Sequence, residues 1–510
     1  MTTAVSETAQ TDTYKTITVT NPATGEVVGA VPRHSAADVV TAVQRARAAQ
    51  PAWAALPFRK RARVFKRFHD LILDQRQTLF DVIQDETGKS RRDAFVELFA
   101  VAVEARYYAY HGGRFLRPHR ARAGLPTRSR SKVVYQPAGV VGIIGPWNFP
   151  FVLTVGDMIP ALLAGNGLVV KPATLTPLSV IWARERLIEC GLPSDLLQIV
   201  TGAGREIGNT LIDHVDYVMF TGSTEVGRQV AQRAASRLIP FSMELGGKNA
   251  MLVLADANLK HAATGAIDGG FANCGQVCIN WERIYVEAPV YDAFVEELLR
   301  QTAGLRRGYT RGFDTDLGSL ISESQLETVE AHVQDAVDKG ARVLAGGRRR
   351  PELGPLFYEP TLLTDVTPDM RVHSEETFGP VMSVYKVGSV DEAVRLANEG
   401  RFGLNASVWT RDRARGRAIA ERLVAGTVNV NDTTLAWAST DVPMGGVRES
   451  GVARRHGPEG IRKYTEPQAI VTNLTNYQIG SFETALAISE RLVEVLALLL
   501  KLWRRVPFIR

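Results

Sequence analysis

Cysteine is scarce in this chain: only Cys190, Cys274 and Cys278 occur in 510 residues. Three thiols cannot build a disulfide framework, so the disulfide-stapled secreted folds are excluded and each thiol stays available for chemistry. Long hydrophobic runs are missing as well. The continuous apolar run near the C-terminus is far short of the roughly 20 residues that cross a bilayer. The opening MTTAVSETAQTDTY lacks the basic and then apolar blocks of a secretory signal, which makes a reducing cytoplasm the expected compartment. The chain has no internal repeat and no low-complexity tract. A net charge of +6 comes without an aromatic-studded basic patch, which excludes a nucleic-acid partner. Metal is not expected either, because the C-x3-C of Cys274 and Cys278 has no third ligand nearby.

What is present is an ordinary globular composition, 45% hydrophobic and 22% charged, with length for about three structural units. From 133 to 246, short β-rich runs (140–144, 168–170, 197–200, 218–220) alternate with amphipathic stretches such as 177–190. That alternation predicts a parallel sheet with helical crossovers, an α/β class. A second alternating region follows, with helix-like 291–300, 322–339 and 390–398 and strand-like 283–286, 381–385 and 406–409.

The chemistry concentrates around Cys278 in FANCGQVC, preceded 34 positions earlier by Glu244 in MELGGKN. Cysteine is strongly nucleophilic as its thiolate, and a Gly-flanked turn lets substrate and backbone amides approach the sulfur. Cys278 is the candidate nucleophile and Glu244 the candidate base. Trp147 and Asn148 in GPWNFP follow the apolar run 140–144, so a strand delivers an Asn amide at its carboxyl end, where open α/β sheets place ligands.

PWNFP, VVKPA, FTGSTEVG, MELGGKN, GQVC and EETFGP occur in the order and near the spacings of the NAD(P)-dependent aldehyde dehydrogenases. The chain resembles that superfamily from about Asn21 to Gln468, and in overall look is similar to its bacterial succinate-semialdehyde dehydrogenase subgroup. The resemblance implies a Rossmann-type cofactor domain (1–117 and 138–246), an α/β catalytic domain (247–447), a β oligomerisation arm (118–137 and 461–474) and, beyond the family core, an amphipathic tail (475–510). It implies that Cys278 attacks an aldehyde and that Asn148 and the Cys278 amide hold the oxyanion. Glu244 then activates the water that hydrolyses the thioester to a carboxylic acid. Cys274 is a bystander.

The cofactor contacts implied are Trp147, Asn148, Lys171, Pro172, Ala173, Thr174, Gly222, Ser223, Leu245, Glu376 and Phe378. Lys171 and Glu376 match the two ribose-binding residues, and Gly222 and Ser223 open a helix whose N-terminus suits pyrophosphate. The loop 202–208 reads GxGxxxG and shapes the adenine side. Many NAD-preferring relatives carry a glutamate where this chain has Thr174, so NADP is expected to be accepted alongside NAD. Well-characterised succinate-semialdehyde dehydrogenases hold the substrate carboxylate with two arginines, where this chain has Gly156 and Ala272. The substrate reading therefore divides between succinate semialdehyde and an apolar aliphatic or aromatic aldehyde, for which Trp281 is a candidate contact beside its alternative as core.

The arginine-rich stretch 114–132 enters the arm, so a homodimer or homotetramer is expected. In the tail, leucines and valines interrupted by Glu490, Arg491, Glu494 and Lys501 read as one helix. It is assigned either to docking on its own oligomer or to a peripheral membrane or substrate-gating role, with Trp503, Arg504 and Arg505 as interfacial anchors. Two alternatives of other classes stand beside the enzyme: a non-catalytic relative that kept the fold, against which Cys278, Glu244 and Asn148 speak, and a coenzyme A-acylating enzyme, which typically lacks the Glu244-type base.

Overall fold

The computed structural model describes residues 16–122, 129–475 and 489–504. The chain divides into two compact units, one drawn from 1–116 and 136–466, the other from 117–135 and 467–510.

The larger unit is α/β, as the alternation predicts. Its first sheet has six strands in the order Gly451–Val452, Phe241–Glu244, Tyr217–Thr221, Val140–Ile144, Gly167–Lys171, Leu197–Ile199. All pairings are parallel except that of the short Gly451–Val452 strand with Phe241–Glu244. Val140–Ile144 and Gly167–Lys171 are buried at every position, the pattern of strands covered by helices on both faces. The helix Pro150–Leu163 begins with proline, whose missing N–H costs nothing in a first turn, and every one of its residues is buried. It packs against the 25-residue helix Arg91–Phe115.

The second sheet has seven strands in the order Arg342–Ala345, Thr361–Thr364, Val381–Val387, Trp281–Glu287, Asn249–Val253, Asn405–Trp409, Thr427–Val430. Only the first pair is antiparallel. Trp281 is fully buried in the core beneath this sheet, beside Met251, Ile284, Phe294 and Met382. It is a packing residue and not a substrate contact, because its position opens a strand whose first six residues are all buried.

In the smaller unit, Thr465–Asn473, Ser129–Pro137 and His119–Ala121 form a three-stranded sheet, with His119 opposite Val133. The tail helix runs Glu490–Trp503, capped by the Ser489 hydroxyl accepting from the Leu492 N–H. The rest of the expected tail element, 482–488 and 505–510, lies outside the described residues, as do Pro126 and Arg128 of the arm. Among the described residues, no helix is long and apolar enough to cross a membrane.

Candidate active site

The Cys278 loop is built from backbone that few sequences tolerate. Asn273 and Cys274 adopt left-handed conformations (φ 48° and 55°), and Gly275 (φ 72°) passes so close to the Gly379 carbonyl that no side chain fits. Side-chain amides hold this turn. Asn273 Nδ2 donates to the Asn148 carbonyl (2.9 Å), and its backbone N–H donates to Asp93 (3.1 Å). Gln276 Nε2 donates to the Asn273 carbonyl (3.0 Å), Asn280 Nδ2 to that of Gly275 (2.8 Å), and Asn249 Nδ2 to that of Cys278 itself (2.8 Å). The Cys278 side chain is left partly exposed, whereas Cys274 and Cys190 are buried.

Asn148 is clamped to this loop from the other side. Its Nδ2 donates to the Gln276 carbonyl, 2.9 Å away and two residues before the sulfur-bearing residue. Its own carbonyl accepts from Lys89 Nζ (2.8 Å), which is also 2.6 Å from Glu97 Oε1. The other Glu97 oxygen accepts from the Phe151 and Val152 N–H groups (2.9 and 3.1 Å), supplying partners to the first turn of the Pro150 helix. Lys89 and Glu97 are fully buried, so removing one partner alone costs about 3–5 kcal/mol.

Glu244 ends the strand Phe241–Glu244, and the chain then turns through Gly246 and Gly247 beneath the Cys278 loop. A Cβ at Gly247 would stand 2.5 Å from the Cys278 carbonyl, so only glycine permits that approach. Burial lifts the Glu244 carboxyl to about 7, partly offset by Arg455 and Lys463. Burial and the carboxylates of Glu244 and Glu376 push the Cys278 thiol up to about 12. A neutral thiol thus lies in the field of a carboxylate that titrates near neutrality. Arg455 is itself held by Asp157 (2.7 Å), Thr221 Oγ1 (2.7 Å) and the Leu153 carbonyl, and Lys463 by Asp157 (3.1 Å).

The expected dinucleotide contacts other than Glu376 and Phe378 lie at the carboxyl ends of strands of the six-stranded sheet. Lys171 ends one strand; its buried Nζ donates to the Pro172 and Gly202 carbonyls (3.0 and 3.5 Å), and Thr174 Oγ1 donates to the same Gly202 carbonyl (3.2 Å). An ammonium sharing a carbonyl with a hydroxyl, and with no carboxylate beside it among the described residues, fits a ribose or phosphate oxygen. Ala173 follows half-buried beside Pro172. Gly222 turns from strand Tyr217–Thr221 into the helix Thr224–Ser236, Ser223 caps that helix, and Leu245 packs buried against Gly227. Glu376 accepts from the Gly247 N–H (2.7 Å), and burial together with Glu282 lifts its carboxyl to about 8. Trp147 and Phe378 meet edge to face with ring centres 5.3 Å apart. The residues present therefore fit a dinucleotide, and no groups of three or more potential metal ligands gather among the described residues.

Several residues in this assembly escaped sequence reasoning: Lys89, Glu97, Asp93, Asn249, Asp157, Arg455 and Lys463. They come from elements far apart in the chain, and a lone buried charge has no local pattern. Only the place of Asn249 as the last residue of MELGGKN offered a signal.

Comparison with known proteins agrees with this geometry. The model of the aldehyde dehydrogenase family matches residues 8–470. A Mycobacterium tuberculosis protein provisionally named an NADP+ succinate-semialdehyde dehydrogenase is 48% identical over 458 residues, covering 90% of this chain and 88% of that one. The 3-sulfolactaldehyde dehydrogenase of Pseudomonas putida is 37% identical, covering 89% and 93%. Among solved structures, betaine aldehyde dehydrogenase of Staphylococcus aureus in complex with NAD+ superposes with a TM-score of 0.87 at 32% identity, covering 92% and 93%.

Proposed function

Because the chain belongs to the aldehyde dehydrogenase family, we propose that its NAD(P)-dependent oxidation of an aldehyde to a carboxylic acid runs through Cys278, Glu244 and Asn148. The observation that carries this assignment is the clamp of Asn148 Nδ2 on the Gln276 carbonyl, which holds an amide donor beside the one partly exposed thiol.

The Cys278 thiol gives up its proton to solvent, and Cys278 Sγ adds to the aldehyde carbon. The alkoxide so formed meets Asn148 Nδ2 and the Cys278 N–H, donors fixed before the charge develops and worth about 3–4 kcal/mol each. A nicotinamide dinucleotide held by Lys171, Ser223 and Glu376 would supply the two-electron acceptor for the hydride. Loss of hydride leaves a thioester on Cys278; Glu244 removes a proton from water, which adds to the thioester carbonyl, and the acid departs as the sulfur regains its proton. Formation of one acid per reduced cofactor without coenzyme A tests this reading; a requirement for coenzyme A would replace it with the acylating reaction.

The same reading makes the chain prefer NADP, since Thr174 offers a hydroxyl where a carboxylate would repel a 2′-phosphate. Thr174→Glu is expected to lower kcat/KM for NADP by about 100-fold while that for NAD changes little, measured as initial rates of reduced cofactor formation. Catalysis needs a reduced Cys278, which suits a cytoplasmic location. The domain limits follow the resemblance: 1–117 and 138–246 for cofactor, 247–447 for the thiol, and 118–137 with 461–474 as the pairing arm of a homodimer or homotetramer.

In the tail helix, Val493, Val495, Leu498, Leu499 and Leu500 are more than half exposed, and a second copy is their partner in this reading. Light scattering is expected to give two or four times the 55.8 kDa chain mass, with no pelleting on anionic phospholipid vesicles. A 55.8 kDa particle that pellets would assign the tail to a membrane surface instead.

A further inference from the structure

An oxyanion donor works only if its place is fixed before the charge develops, and Asn148 sits where regular structure does not fix it. It lies between the strand Val140–Ile144 and the helix Pro150–Leu163, so its carbonyl belongs neither to the sheet ladder nor to the helix. Side chains hold it instead. The Asn148 carbonyl accepts from Lys89 Nζ (2.8 Å) and from Asn273 Nδ2 (2.9 Å). An ammonium has three N–H groups, and this one has three partners: the carbonyl, Glu97 Oε1 at 2.6 Å and the face of the Phe149 ring, 4.0 Å from its centre. The other Glu97 oxygen takes the Phe151 and Val152 N–H groups. The pair therefore grips the chain immediately before and immediately after Phe149.

The same frame reaches the opposite side of the Asn148 contact. The Ser319 N–H donates to the Gly88 carbonyl (3.1 Å), and two residues on the Ile321 N–H donates to Gln276 Oε1 (2.9 Å), the residue whose carbonyl meets Asn148 Nδ2. Lys89 and Glu97 have no exposed side-chain surface, so neither reaches a substrate. Stability alone does not explain them, because an apolar pair of similar volume fills such a site as well or better. We infer that Lys89, paired with Glu97, is the positioning residue of the oxyanion donor and acts on the reaction only through Asn148. This inference rests on the aldehyde-oxidising reading of Cys278 and Asn148. A donor displaced by about 1 Å costs about 10²-fold in rate, and the loss falls on kcat because the contact forms only as the alkoxide does.

The test is a double-mutant cycle between Lys89→Met and Asn148→Ala. It is read as kcat with whichever of succinate semialdehyde and hexanal the wild type turns over faster, per site counted by the fluorescence of bound NADPH. Asn148→Ala is expected to lower kcat by about 10²- to 10³-fold and Lys89→Met by about 10²-fold, with KM for NADP within about threefold of wild type. In the Asn148→Ala background, Lys89→Met is expected to cost less than about threefold more, the mark of two residues acting as one unit. Lys89→Met leaves Glu97 without its counter-charge, so Lys89→Met/Glu97→Gln, which removes both charges, is measured beside it and is expected to keep the loss in kcat. Equal losses in the wild-type and Asn148→Ala backgrounds, or wild-type kcat in Lys89→Met/Glu97→Gln, overturn the inference and leave aldehyde oxidation intact. Wild-type kcat in Asn148→Ala overturns the oxyanion role of Asn148 and this inference with it. Absence of turnover in the wild type with both aldehydes overturns the reaction itself.

Discussion

Cys278→Ala is expected to lower kcat by at least about 10⁴-fold with every aldehyde and with either nicotinamide cofactor. No other described thiol can substitute. Cys190 lies in the core with Trp182 and Leu187, and Cys274 packs among Leu326, Val329 and Val333 with its thiol pushed up to about 12 by burial. Cys274→Ala removes one buried sulfur from that cluster and is expected to cost about 1 kcal/mol of stability while kcat stays within a few-fold of wild type. The pair of variants separates chemistry from folding, because both substitutions lie in the same eight-residue segment. Iodoacetamide provides an independent reading: one adduct per chain, located at Cys278 by mass spectrometry and absent from Cys278→Ala. Turnover in Cys278→Ala near the wild-type rate would remove the covalent mechanism.

What was legible in the sequence follows a physical division. Val140–Ile144, Leu178–Glu189 and Val390–Asn398 were readable because helical periodicity and a short buried run are local signals. Cys278, Glu244 and Asn148 were readable because each sits in a motif whose glycines and prolines fix backbone. Trp281 was ambiguous because a tryptophan near a nucleophile looks alike whether it faces a pocket or fills a core; only the register of its strand decides. Lys89 and Glu97 were silent for a related reason. Their burial is tolerable only through each other and through Asn148 and the Pro150 helix, 59 and 53 residues onward in the chain.

Glu244→Gln is expected to convert rapid turnover into a single one. With near-saturating aldehyde and cofactor, one equivalent of reduced cofactor per active site should appear in a burst, followed by a steady rate about 10³-fold below wild type as the thioester awaits hydrolysis. The fold should persist, because Arg455 and Lys463 are paired by Asp157 and losing the Glu244 charge orphans neither cation. In the wild type, a carboxyl lifted to about 7 is protonated in more acid solution and cannot accept a proton from water. The sign is therefore definite: kcat rises about tenfold per unit as pH climbs toward 7 and levels above it, and the glutamine variant loses that dependence over the same range. Stopped-flow measurement of the burst between pH 5.5 and 8.5 distinguishes two duties of this group. A burst that survives in Glu244→Gln places its main work at the water. A burst slowed as much as the steady rate places it at the Cys278 thiol, whose pKa near 12 leaves almost no thiolate at pH 7 without a base.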